Sequence, residues 1–397
     1  MYEFYKKHKT ATIGWGTFLL FLILVGIVCF FPYWFTRGGD PDLCFLGKGE
    51  IGDTIGGIMG PFVAIIAAFL TFIAFLIQYD ANELQKGELE RQKKIRQREE
   101  FEVKLYKMLD DYKANVNQLA AGDLRGREAI PELLGELSFI YSCVHVVFND
   151  IYSKKNFLYI NSEQEKALKY LEDLYRNPKE ILKSQLLLAY YLFFYGRPYH
   201  TVENMQAGKV QLENEVYKRL KQLTYIQEEL GFTDYLYNEN KSTSTLPSQY
   251  VGSFRIMKGH NDQLGVYFRQ MFQTVTFIAD ADKSIFSEED KYAYAKLLRS
   301  NMSDTEQVLL YYNSLSEMGE KWNKRPGNGK DGREGMGLIA RFRLIKNIPA
   351  NFLFFGKSPM SSYSEEKKYW KDKEGKNFFE HSTFLLNINS VIAGITA

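Results

Sequence analysis

The sequence is poor in cysteine, proline and net charge. Three cysteines, Cys29, Cys44 and Cys143, are too few and too scattered for a disulfide framework, so a stapled secreted scaffold is excluded. Ten prolines in 397 residues leave room for long uninterrupted elements. Lysine plus arginine, 50, almost cancels aspartate plus glutamate, 48, for a formal net charge of +2. Such a balance lacks the basic footprint of a nucleic-acid binder and leaves that partner class open. Catalytic signatures are also missing. There is no GxxxxGK[ST] phosphate loop and no GxGxxG, and Gly327-Asn328-Gly329 lies in the wrong context for either. There is no HExxH, no GxSxG, and no Cys/His pairing at zinc spacing among the five histidines. Neither a cofactor nor a metal is expected. What the chain has in quantity is apolar material: 45% hydrophobic residues, with 30 Phe and 27 Tyr, beside 25% charged residues, the composition of a folded protein.

That apolar material is unevenly spread. No charged residue occurs from Ile13 to Phe35, a run of 23, or from Thr54 to Tyr79, a run of 26. A bilayer core needs about 20 apolar residues in a helix, so both runs are long enough. The first is too long for a signal peptide and lacks a small-residue cleavage site, and Pro32 to Phe35 fits an interfacial aromatic belt. Basic residues flank the pair at Lys6, Lys7 and Lys9 and again from Lys86 to Arg98. The intervening loop, residues 36–53, carries only Arg37 and Lys48. The positive-inside rule then predicts a two-pass hairpin with both termini in the cytoplasm. Gly52, Gly56, Gly60, Ala64 and Ala68 recur every fourth residue, a smooth stripe that suits close helix packing. That packing is either within one hairpin or between copies in a homo-oligomer. Neither run carries the mid-depth charge that marks an ion or proton pathway.

The remainder reads as helical and cytoplasmic. Asp80–Lys104 balances seven acidic against seven basic residues, and Phe101, Leu105, Met108, Tyr112, Val116 and Leu119 follow at helical spacing. One helix from about Thr54 to Leu119 is predicted, forming a charged stalk, either solvated alone or paired as a coiled coil. Further helices are predicted over Glu128–Asn149, Glu163–Arg176, Pro178–Tyr195, Val210–Leu230, Asp262–Asp280, Ser287–Arg299 and Ser303–Gly319. Ser303 followed by Glu306 is a capping box. Strand signals are weak. The expected fold is mainly α: a transmembrane hairpin over 1–79, a stalk over 80–120, a cytoplasmic helical domain over 121–322 and a mixed segment over 323–397.

Two sets of polar residues stand out. Arg255 and His260 lie five apart, a spacing at which HEPN-type ribonucleases place an arginine and a histidine on a helix, the arginine to hold phosphate and the histidine for acid–base work. The second set carries a resemblance. Gly259-His260, Tyr267-Phe268-Arg269, Leu297-Leu298-Arg299-Ser300, then Ser303, Glu306, Leu309, Leu310, Tyr312 and Asn313 follow in order, and Arg125-Gly126-Arg127-Glu128 precedes them. Together with the two apolar runs and the charged helix, this order resembles the phage abortive infection (AbiC-like) family over about residues 15–320. The resemblance implies anti-phage defence in the inner membrane of a bacterium, without catalytic residues to carry over. Arg127, Arg269, Arg299, Glu306 and Asn313 are then expected to form a polar network between helices, either fixing the fold or lining a pocket for a phage component or nucleotide-like ligand. The expected activity is non-enzymatic: an effector that senses infection through its helical domain and compromises the membrane, alone or with an operon-encoded partner. A membrane-tethered ribonuclease and a scaffold subunit are the alternatives.

Overall fold

The computed structural model describes residues 49–153, 162–198, 206–230, 258–326 and 332–382, with isolated positions between 19 and 30. The run Ile13–Phe35 lies almost wholly outside the described residues, as do Thr233–Ser253 and Arg255. The described residues are mainly helical, as expected.

The chain divides into two compact units, Met1–Arg96 and Gln97–Ala397. The first contains most of helix α1, Gly49–Gln118, which begins at Gly49 rather than near Thr54 and accommodates Pro61 within it. Along its uncharged stretch most of the described apolar side chains are bare: Ile65 is 67% exposed, Phe72 60% and Phe75 71%. Nothing among the described residues lies within 4 Å of a side chain built at Gly56 or Gly60, and Ala64 and Ala68 are exposed too.

The second unit is built on the last turns of α1, whose Phe101, Leu105, Leu109, Tyr112 and Val116 are buried. Leu109 takes the core position expected of Met108, which is half-buried. A two-residue antiparallel hairpin follows, β1 (Ala120–Ala121) with β2 (Leu124–Arg125), and a 3-10 turn, Gly126–Glu128. Helix α2, Ala129–Ser153, buries Leu133, Leu137, Ile140, Tyr141, Val144 and Phe148, the stripe its sequence predicts. It packs on α4 (Pro178–Tyr195) and α5 (Ala207–Leu230), and α5 lies against α3 (Ser162–Tyr175). Gly208 permits that last crossing, since a Cβ there would meet the Lys166 carbonyl oxygen at 2.7 Å.

Helices α6 (Asn261–Ala279), α7 (Glu288–Ser300) and α8 (Asp304–Leu315) complete the core, with α8 touching α2 and α4. Beyond them come short helices α9 (Glu320–Asn323), α10 (Leu338–Phe342), α11 (Pro359–Ser362) and α12 (Ser364–Glu374). These later residues share the core: Trp322, Ile339, Leu344, Phe355 and Trp370 are all buried in it. Among the described residues two helical segments are long and apolar enough to cross a membrane, α1 and Gly126–Ser153. The second is largely covered by its own protein.

Candidate functional site

The most connected polar centre forms around Glu306. Ser303 caps α8: its hydroxyl accepts from the Glu306 N–H at 3.2 Å, and Glu306 Oε2 accepts from the Ser303 N–H at 2.5 Å. This is the capping box that the sequence announces. Unlike most such glutamates, Glu306 is completely buried. Its other oxygen accepts from the Tyr112 hydroxyl at 2.5 Å and the Tyr267 hydroxyl at 3.4 Å. Arg127 places Nε 3.5 Å from Oε2, and its Nη2 donates to the Asn301 carbonyl at 2.5 Å. One carboxylate thus joins α1, the 3-10 turn, α6 and α8. Burial, then the Glu306 charge, push the Tyr112 phenol far above its ordinary range, and burial with the neighbouring Tyr112 and Glu306 does the same for Tyr267. Both stay protonated and serve as donors.

The expected five-residue network is therefore not one network. Arg127 and Glu306 meet. Arg269 is exposed, with its Nε donating to the Gly265 carbonyl of its own helix at 3.0 Å. Helical spacing turns it to the outer face of α6, opposite Tyr267 and Leu264. Arg299 is buried but points to α10, donating to the Phe342 and Arg343 carbonyls at 3.2 and 2.9 Å. Asn313 is buried with Tyr190 and Trp322: its amide donates to the Tyr190 hydroxyl at 2.8 Å, and its oxygen accepts from the indole at 3.2 Å. Each of the last two satisfies a separate end of the core.

Arg299 leads to a second centre that the sequence did not disclose. Arg343 is the one non-glycine residue with a left-handed backbone among those described, at φ 49, a conformation that costs roughly 1–2 kcal/mol. Several interactions hold it there. Its Nε donates to the Tyr292 hydroxyl at 2.7 Å and its guanidinium lies 4.7 Å from the Trp370 ring. Burial raises the Tyr292 pKa, but hydrogen bonds and charge from Arg299 and Arg343 outweigh it and hold the phenol below its ordinary value. Tyr292, Arg343 and Trp370 come from three segments, and no local spacing links them.

His260 sits in a third centre. It precedes α6 rather than lying within a helix, and Gly259 before it has φ 82. A Cβ on Gly259 would lie 2.8 Å from the Tyr195 carbonyl carbon, so the glycine permits the close approach in which the His260 N–H donates to the Phe194 carbonyl at 2.9 Å. Residues 258–260 belong to no helix or strand, and Arg255, the other member of the expected pair, lies outside the described residues. Both ring nitrogens are engaged. Gln263 is pinned by Ala120, whose N–H donates to Oε1 at 2.7 Å and whose carbonyl accepts from Nε2 at 3.0 Å. The Gln263 amide therefore donates to His260 Nδ1 at 2.9 Å, leaving Nε2–H to donate to Glu136 at 2.8 Å. A histidine so held, with its side chain 10% exposed, ties the start of α6 to α2 and, through Gln263, to β1. No group of three or more His, Cys, Asp or Glu residues suited to a metal occurs among the described residues.

Residues 259–353 match the family model described as "putative phage abortive infection protein". The match begins at Gly259, spans α6, α7 and α8 with Arg269, Arg299, Glu306 and Asn313, and continues through Arg343. No curated protein and no solved structure matches the chain.

Proposed function

We propose that this chain is an abortive-infection protein of anti-phage defence that acts at the bacterial inner membrane. The observation that carries the reading is a conjunction in one chain. The family match covers Tyr267, Ser303 and Glu306 of one centre and Tyr292, Arg299 and Arg343 of another, and the same chain has a 26-residue uncharged helical stretch whose described apolar side chains are mostly exposed. Bare apolar surface of that length is costly in water and favourable in a bilayer. In this reading the hairpin inserts with both termini in the cytoplasm, and the helical unit responds to a phage component or a partner protein. The small-residue stripe then assembles copies that compromise the membrane. The three polar centres join separate elements of the helical unit and serve as braces, which favours an effector that works by assembly over a tethered ribonuclease.

The test is membrane potential during phage infection, read with a voltage-sensitive dye, with total RNA followed in parallel. Early depolarisation with intact RNA is expected. Gly56→Leu with Gly60→Leu should abolish it while leaving the helical unit folded, because neither position has a neighbour among the described residues. Full protection by the double variant would overturn the assembly reading. Fragmented RNA at constant potential would shift the assignment to nuclease chemistry.

A further inference from the structure

The helical unit also holds a cavity that none of the three polar centres uses. Its volume is about 530 Å³, inside the range of roughly 300–1,000 Å³ typical of small-molecule sites. Phe101 of α1, Phe272, Thr276 and Phe277 of α6, and Ile285 and Phe286 of the α6–α7 connection line it. The rings form one cluster: Phe101 stacks on Phe277 at 4.6 Å and meets Phe286 at 4.5 Å.

Two polar features distinguish this cavity from leftover core volume. The Thr276 hydroxyl is buried and has no hydrogen-bond partner among the described residues. Hydroxyls in helices commonly bond the carbonyl four residues back, as Thr274 does to Gln270 at 2.9 Å. Leaving one unpaired forfeits a hydrogen bond that water would otherwise give it, so an occupant that pairs with it is favoured. The second feature is the sign of the mouth. Asp280 and Asp282 both line the cavity where α6 ends, and the last carbonyls of that helix add partial negative charge. Asp282 accepts from the Ser284 N–H at 2.8 Å, whereas the Asp280 carboxylate has no partner among the described residues. The nearby cations are already occupied. Arg98 is paired with Asp290 at 2.9 Å and lies 5.3 Å from the Phe286 ring, and Lys104 lies 4.9 Å from the Phe277 ring. The outer faces of these rings therefore already attract positive charge.

We propose that this cavity binds a small amphiphilic amine. Its aromatic body lies among Phe101, Phe272, Phe277 and Phe286, a polar atom of that body pairs with Thr276, and its ammonium group sits at Asp280. A carboxylate- or phosphate-headed amphiphile would bring its charge against two aspartates and a helix C-terminus, which excludes fatty acids and nucleotides from the same pose. Because Phe101 belongs to α1 and the other walls to α6 and its connection, an occupant would brace α1 against α6.

Isothermal titration of the full chain in lipid nanodiscs tests this, with empty nanodiscs subtracted to remove bilayer partitioning. The probe is 4′-hydroxybiphenyl-4-ylmethylammonium, compared with the analogues lacking the phenol or carrying carboxylate in place of the amine. Saturable one-site binding of the ammonium probe is expected, with at least tenfold weaker binding of the carboxylate. Asp280→Asn, a change at an exposed side chain, should weaken the ammonium probe about tenfold. Thr276→Val should weaken the phenolic probe several-fold and leave the deoxy probe unchanged. The proposal is overturned if ammonium and carboxylate bind equally, if Asp280→Asn has no effect, or if no saturable heat exceeds that of empty nanodiscs.

Discussion

The uncharged stretch of α1 and the helix α2 satisfy the same length-and-apolarity criterion for a membrane span, yet the first is bare and the second is more than half covered by its own protein. Helix α2 is apolar on the faces toward α4, α5 and α8 and carries polar groups where neighbours reach them. Glu136 accepts from His260, and Asp150 pairs with Arg219 at 2.9 Å. His145 bonds Gln185 and Asn149 at 3.2 and 3.0 Å, and Asn149 in turn accepts from Tyr175. From Thr54 to Tyr79 α1 has no charge to place, and Thr71 satisfies its hydroxyl on its own helix, at 2.7 Å from the Ala67 carbonyl. A helix meant for a protein core needs partners for its polar atoms, and one meant for lipid must close every bond within itself. Hydropathy alone does not separate the two; the pattern of polar groups does.

The largest effect should come from placing the same charge in each helix. Leu137 is fully buried in α2, and Leu137→Lys would leave an unpaired ammonium in the core, a change worth on the order of 4–5 kcal/mol or more. The helical unit should fail to fold, read as loss of its cooperative thermal transition. Ile65→Lys with Phe72→Lys, at bare positions of α1, should leave that transition almost where it was and, on the proposed membrane reading, cut recovery of the chain in the membrane fraction at neutral pH, where both ammonium groups are charged. If both variants melt the helical unit alike, the contrast between the two helices is broken.

A smaller effect separates two capping boxes that look alike in sequence. Ser287 with Asp290 opens α7 at the surface, and Ser303 with Glu306 opens α8 in the core. Asp290→Ala should cost about 1 kcal/mol, the ordinary worth of a cap. Glu306→Ala strands the Tyr112 hydroxyl and the Ser303 N–H and removes a partner of the half-exposed Arg127, and each buried polar group left unpaired costs roughly 1–3 kcal/mol. Chemical denaturation of the two variants compares them directly. Equal losses would mean that the tyrosine clasp contributes nothing beyond capping.

Much of this architecture is legible in the chain. The stripes of α1 and α2, the bounds of α4 and the Ser303 box depend on residues three or four apart, and such spacings are visible locally. The polar centres are not local. Arg299 finds carbonyls at residues 342 and 343, Tyr112 finds Glu306, and Arg343 finds Tyr292 and Trp370. Arg127 was traced to Glu306 through the order of family-like motifs, but the same route grouped it with Arg269, which faces outward. Motif order reports which residues recur together, not which of them touch. Gly259 did carry a usable signal: a glycine directly before a helix start marks a backbone position that a Cβ would block.

The smallest effect concerns a charge that the α1 stretch lacks and the helical unit tolerates. Glu213 on α5 is only 3% exposed. Burial, opposed by Lys209 at 4.0 Å and reinforced by Glu317, raises its pKa from 4.5 to about 7. The folded state therefore holds a proton that the unfolded chain has already lost between these values. Stability is complete below pH 4.5 and falls as pH rises toward about 7, where the folded state ionises in turn. Glu213→Gln keeps the shape and removes the titration. The variant should unfold with nearly flat stability from pH 4.5 to 8 and exceed the parent chain by about 1–3 kcal/mol at the upper end, a shift of one pKa unit being worth 1.36 kcal/mol. Denaturant titrations at both pH limits decide it. A parent chain that gains stability on the way to pH 8 would place the Glu213 carboxylate in a solvated or paired setting.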